Sequence, residues 1–236
     1  MPKHWIALLA ALSLVFLAVA PAEGGRARPN ACGAQEYSYA GLQSEGKAHG
    51  IAATLTALTT PNVQDGHVAG WIGVGGVDAG PGGTADWLQV GYASFSPDPT
   101  IKLYYELTVP GKDTRYVELD SKVVPGEKHQ VAVLEMANRN AWWRVWLDGK
   151  PATAPIYLPG SHAPNGAWYP QAVAENWNGG NGTCNAYAYR FDNVRLAHAN
   201  GGSWAPITQR SLFEDAGYRV VQTSRMPSDF VATSLD

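Results

Sequence analysis

Short runs of β-branched, aromatic and aliphatic residues recur along this chain, each closed by glycine, proline, asparagine or aspartate, and helical periodicity is almost absent. The runs are Ile51–Leu58, Gly70–Val74, Trp87–Tyr92, Leu103–Val109, Arg115–Leu119, Gln130–Met136, Trp143–Leu147, Val173–Trp177, Tyr187–Leu196 and Gly217–Thr223. Separators such as SPDPT, VPGKD, VPGEK and NGGNG carry residues that fix φ or tolerate unusual φ, so chain reversals fall between the runs. Asp148-Gly149 behind WWRVWL is the strongest hairpin signal. The pattern predicts an all-β fold, an antiparallel two-sheet β-sandwich. No composition break marks a second domain, so one sandwich is expected over residues 48–236.

The first residues set the compartment. Lys3 and His4 precede the apolar run Trp5–Ala20, and Ala20-Pro21-Ala22 offers the small residues a signal peptidase reads. Residues 1–22 are read as a cleaved signal peptide and 23–47 as an exported N-terminal segment. The apolar run is short for a membrane span, so a secreted, extracellular chain without a span is expected. The only cysteines are Cys32 and Cys184, and in an oxidising compartment one bridge between them is the simple reading. Closing so long a loop contributes about 4–5 kcal/mol on the chain-entropy model.

Charge excludes several partners. Asp, Glu, Lys and Arg make up only 16% of the chain, the formal net charge is −3, and no Lys/Arg cluster is present. Neither nucleic acid nor an acidic membrane surface is implied. Nine tryptophans and eleven tyrosines instead suit a monomeric sheet protein with aromatic-lined surfaces.

Familiar catalytic signatures are missing. There is no nucleophile elbow, zinc helix, phosphate loop or dinucleotide fingerprint, and the histidines lack ligand spacing, so no metal is expected. Ser161 stands beside His162, but neighbours on an extended chain point apart, which argues against a nucleophile there. What remains is a set of polar residues inside apolar runs: Gln89 in WLQVG, Glu106 in LYYELTV, and Gln171 with Glu175 in YPQAVAENWN. Period-two alternation puts Trp87, Gln89 and Gly91 on one face, and Gln171, Val173, Glu175 and Trp177 on another shared face. A polar group among apolar neighbours is either satisfied in a network or turned toward a cleft. A structural carboxylate and a catalytic one give the same string.

Taken in order, these motifs resemble the eqolisin family of glutamic peptidases. Trp71-Ile72-Gly73 is similar to the family's W-[VI]-G, Leu88-Gln89-Val90-Gly91 to its L/I-Q-x-G, and Tyr105-Glu106 to its Y-E. Gln171 to Glu175 occupies the segment that usually reads A-E-[WF]-I-x-E. The resemblance runs from about His49 to Ser234. It implies a secreted concanavalin A-like or jelly-roll sandwich that hydrolyses polypeptides in acid without a cofactor. It also implies Gln89 and Glu175 as the catalytic pair that activates water, with Trp71, Trp87 and Glu106 lining the substrate groove.

Departures accompany the matches. Gly75 stands where the family usually has Asp, Gln171 replaces the first acid of its segment, and Leu107 replaces a Trp. A second class therefore stays open: a non-catalytic module binding an extracellular glycan or peptide, since WWRVWLDGKPATAPIYLPG also resembles a strand pair of concanavalin-like sandwiches. A structural surface protein is the third.

Overall fold

A computed structural model describes residues 35–162 and 168–235. Its first strands are β1 (Tyr37–Ser44), β2 (Gly50–Ala57), β3 (His67–Gly76), β4 (Asp86–Phe95), β5 (Ile101–Thr108), β6 (Arg115–Val123), β7 (Lys128–Glu135) and β8 (Trp142–Leu147). There follow β9 (Lys150–Pro151), β10 (Ile156–Tyr157), β11 (Gln171–Trp177), β12 (Ala188–Ala199), β13 (Gly202–Pro206), β14 (Arg210–Glu214), β15 (Tyr218–Gln222) and β16 (Phe230–Ser234). They form two antiparallel sheets, one in the order β14-β1-β11-β3-β4-β5-β6 and the other β10-β8-β7-β2-β12-β16-β15. β9 pairs with β8 and β13 with β12.

Alternation along the strands decides what lies between the sheets. Leu88, Val90 and Tyr92 of β4 and Ile72 and Val74 of β3 enter the core with Leu55, Val133, Trp143, Tyr189 and Phe191. Full burial of each aliphatic or aromatic side chain stabilises the fold by roughly 1.5–3 kcal/mol. The opposite face of the first sheet carries a separate, smaller cluster of Ala69, Trp71, Ala93, Tyr104 and Val173, bordered by Tyr39, Phe95, Tyr116 and Phe213. Gln89 belongs to this outer face.

The hairpin at Asp148-Gly149 is present: Leu147 pairs with Lys150, and both turn residues have positive φ, 48° and 77°. One boundary is corrected. The sandwich was expected to begin at residue 48, but β1 pairs with β11 on one side and β14 on the other, and Ala40 and Leu42 lie in the core. Gly41 hides this strand from its sequence because it weakens strand propensity. The sheet nevertheless requires it there, since a Cβ would stand 2.6 Å from the Val173 Cα.

Ser161 is buried, accepts a hydrogen bond from Trp143 Nε1 (2.9 Å) and donates to the Leu158 carbonyl (2.8 Å), which is a structural assignment. The signal-peptide expectation and Cys32, one end of the expected Cys32–Cys184 bridge, lie outside the described residues. Among the described residues, no helix is long and apolar enough to cross a membrane, and no group of His, Cys, Asp or Glu could hold a metal ion.

Candidate active site

The outer face of the first sheet is hollowed into a groove of about 1000 Å³ whose walls include Trp71, Trp87, Gln89, Glu106 and Glu175. All five residues singled out from sequence thus share one surface. Strand register explains how. Gln171, Gly73, Gln89 and Glu106 stand level across β11, β3, β4 and β5, while Glu175 is level with Ala69 and Ala93. The rung between them carries Val173, Trp71, Gly91 and Tyr104. On that rung Trp71 packs against Gly91, which is buried and has no side chain. A Cβ there would collide with the Gly70 carbonyl oxygen and stand 2.5 Å from the Trp71 Cα.

Glu175 is held by two nitrogens. His67 Nε2 lies 3.0 Å from Oε1, and Trp71 Nε1 donates to Oε2 at 3.1 Å. Its side chain retains 12% exposure, so water reaches it. A carboxylate offers about four lone-pair sites, which leaves acceptor capacity for a water. Trp71, expected to line the groove, does so, and its indole N–H also fixes the carboxylate.

Glu106 is built differently. Trp87 Nε1 donates to its Oε1 at 3.1 Å, and Gln89 Nε2 approaches the same oxygen at 3.5 Å. Burial pushes the Glu106 carboxyl above the usual range, opposed by the Trp87 N–H and reinforced by the Glu175 charge. Gln89 Nε2 also donates to the Tyr104 hydroxyl at 3.1 Å. Burial first, and the two glutamates next, hold the Tyr104 hydroxyl well above its ordinary range, so it stays an O–H group.

Sequence reasoning missed His67, Tyr37, Tyr39, Tyr104 and Tyr116, all in the groove wall. Tyr39, Tyr37, Trp177, His67, Phe95, Tyr116 and Tyr104 form an unbroken chain of ring contacts with centroids 4.9–6.2 Å apart. Among the described residues no Lys or Arg lines the groove. Lys102 sits over the ring of the groove residue Phe95 and is drawn to Glu118 (3.3 Å) and Asp98 (3.9 Å).

Gly75 also faces the groove, with φ of 88°. A Cβ there would strike the Asp86 carbonyl oxygen and come within 2.8 Å of the Trp87 Cα. The backbone therefore excludes the Asp that eqolisins usually carry at this position. Next to it, level with Gly76, lies Asp86, which is buried and accepts the Gly160 N–H at 2.6 Å. Burial pushes the Asp86 carboxyl up to about 6, only partly offset by that hydrogen bond.

Because the folded value lies above the unfolded one of about 3.9, the fold holds the extra proton. Stability from this group is complete below about pH 4 and declines as pH rises to about 6. Asp86→Asn does not titrate, so its melting temperature should gain on wild type through that window and run parallel above it. Thermal melts at closely spaced pH values check this; a constant difference across the window would show that Asp86 carries no shifted proton.

No protein-family model matches the chain, and no curated protein matches it significantly. Among solved structures, scytalidoglutamic peptidase with a peptide-based transition-state analogue is similar at TM-score 0.50 and 15% identity, over 85% of this chain and 98% of that one. SCP-B, an eqolisin in complex with the tripeptide Ala-Ile-His, gives 0.46 and 14% over 85% and 98%. A marine alginate lyase from Zobellia galactanivorans gives 0.41 and 8% over 67% and 65%. The chain is a two-sheet β-sandwich with a polar, aromatic groove on one outer sheet face. Its fold is similar to that of the glutamic peptidase scytalidoglutamic peptidase, and at this identity the likeness is one of fold.

Proposed function

We propose that the chain is a secreted acid endopeptidase-like hydrolase whose groove takes a polypeptide and whose reacting pair is Gln89 and Glu175. The observation that carries the reading is one groove wall that holds both the Gln89 amide donor and, two rungs away, a partly exposed Glu175 carboxylate fixed by Trp71. A peptide carbonyl in the groove would meet the Gln89 N–H, and a water beside it would meet Glu175. The carboxylate takes the water's proton as oxygen adds to carbon and later returns it to the leaving amine. The neutral amide of Gln89 stabilises charge developing on the carbonyl oxygen. Trp71 and His67 orient the base.

The aromatic chain favours one rival, a binding module for a neutral glycan or a peptide, since large rings supply stacking area at low entropic cost. A groove with two glutamates and no lining cation does not suit a polyanionic sugar. The test is incubation of the purified, folded chain with denatured protein from acid to neutral pH, read by mass spectrometry. Fragments that appear in acid and vanish with Glu175→Gln support hydrolysis. Intact substrate at every pH, with retained binding of peptide or oligosaccharide, would favour the binding module.

A further inference from the structure

We propose that Glu106, in its protonated form, is a second catalytic acid of this groove and delivers a proton to the substrate carbonyl oxygen beside Gln89. The inference rests on the peptidase reading above and assigns Glu106 chemistry, where the sequence resemblance implies only contact with substrate.

The argument starts from what each carboxyl group is bonded to. Both Glu175 oxygens face nitrogens, His67 Nε2 and Trp71 Nε1, which fix the carboxylate in the groove wall. Glu106 receives N–H groups on Oε1 alone, from Trp87 and at longer range from Gln89. It is level with Gln89 across β4 and β5, so an oxygen that accepts from the Gln89 amide lies beside the Glu106 carboxyl. Burial among these strands opposes the ionisation of Glu106. Tyr116 is level with it on β6, Tyr104 lies on its own strand, and Tyr37 and Tyr39 feel its charge from β1. Glu175 on β11 repels it, while the Trp87 N–H on β4 and His67 on β3 pull the other way. Two carboxyls in one groove with different partners can divide into a base and an acid.

The step balances. As the water oxygen bonds to the carbonyl carbon, the water's proton passes to Glu175 and the C=O π pair takes the Glu106 proton, giving a neutral gem-diol. On collapse Glu175 returns its proton to the nitrogen, the C–N bond breaks, and the ionised Glu106 takes back the hydroxyl proton as the new carbonyl forms. Both glutamates end as they began.

The experiment compares pH profiles of kcat and KM for wild type, Glu106→Gln and Glu106→Asp on one peptide substrate, each variant first checked for an unchanged melting temperature. The wild-type profile should be bell-shaped, its alkaline limb set by Glu106. Glu106→Gln keeps a hydrogen-bond donor but cannot transfer a proton, so kcat should fall by about 10²–10³ with KM nearly constant, and the alkaline limb should vanish. Glu106→Asp should restore that limb.

A change confined to KM, or an alkaline limb that survives in Glu106→Gln, overturns the proposal and leaves the peptidase reading standing. A wild type that cleaves nothing overturns both. Infrared difference titration of wild type against Glu106→Gln adds a readout without turnover: the protonated-carboxyl band should persist above the ordinary glutamate range of about 4.3, and its loss within that range counts against the acid role.

Discussion

Glu175→Gln is expected to abolish peptide cleavage while barely moving the melting temperature. The substitution keeps shape and most contacts: the amide oxygen still accepts from Trp71 Nε1, and the amide nitrogen takes the place of Oε1 beside His67. What disappears is affinity for a proton. Loss of a general base costs about 10²–10⁴ in rate, and the residual rate should not depend on pH in the acid range. The stability side follows from position, because the Glu175 side chain stands in the groove wall with 12% exposure and is not enclosed in the core. Gln89→Ala should lower kcat by about 10²–10³, the usual effect of deleting one oxyanion donor. Fragment time courses and thermal melts read both quantities on the same samples. A Glu175→Gln protein that cleaves at a wild-type rate would place the base elsewhere. One that melts many degrees lower would make Glu175 a structural group.

The parts of this molecule that sequence made legible are those where alternation and burial coincide. Leu88, Val90 and Tyr92 fill the core while Trp87 and Gln89 turn outward, as the period of two requires. Gln89, Glu106 and Glu175 stood out as polar residues in apolar strands, and each lies in the groove. The shorter strands were not legible for physical reasons. β14 has largely exposed side chains, and β9 is only Lys150–Pro151, so neither has an apolar run to read.

His67 was missed because its partner Glu175 lies 108 residues away in the chain, and no local pattern encodes such a pair. A signal was available nonetheless. Counting back by twos from Trp71 through Ala69 places His67 on the groove face, beside the rung of Glu175. Register also changed the meaning of residues already found: the indoles of Trp71 and Trp87 each donate to a glutamate, so they act as polar donors within an apolar wall. The same register puts Glu106 next to Gln89 and Glu175 one rung beyond Gly91, a relation that the order of motifs alone does not contain.

His49→Ala is expected to be among the most destabilising single substitutions in the described chain, and to do so without touching the groove. Glu135, at the end of β7, is 1% exposed at its side chain and takes two short hydrogen bonds, from the Ala141 N–H at 2.6 Å and to His49 Nδ1 at 2.6 Å. Removing the imidazole leaves a buried carboxyl with one donor. Breaking a buried pair in this way costs about 3–5 kcal/mol; the His49 side is 28% exposed, so water replaces part of the loss and the lower end applies. For a domain of this size that is a fall of roughly 6–12 °C in melting temperature. The paired apolar variant His49→Leu with Glu135→Leu should recover part of it, because no unpaired polar side chain remains buried. Neither residue lines the groove, so kcat at a temperature well below the melt should match wild type. Chemical denaturation of the two variants reads the effect: a loss below about 1 kcal/mol in His49→Ala would place this bond among the weak, solvent-screened pairs. Equal stability of the single and double variants would show that the penalty comes from lost packing and not from the stranded carboxyl.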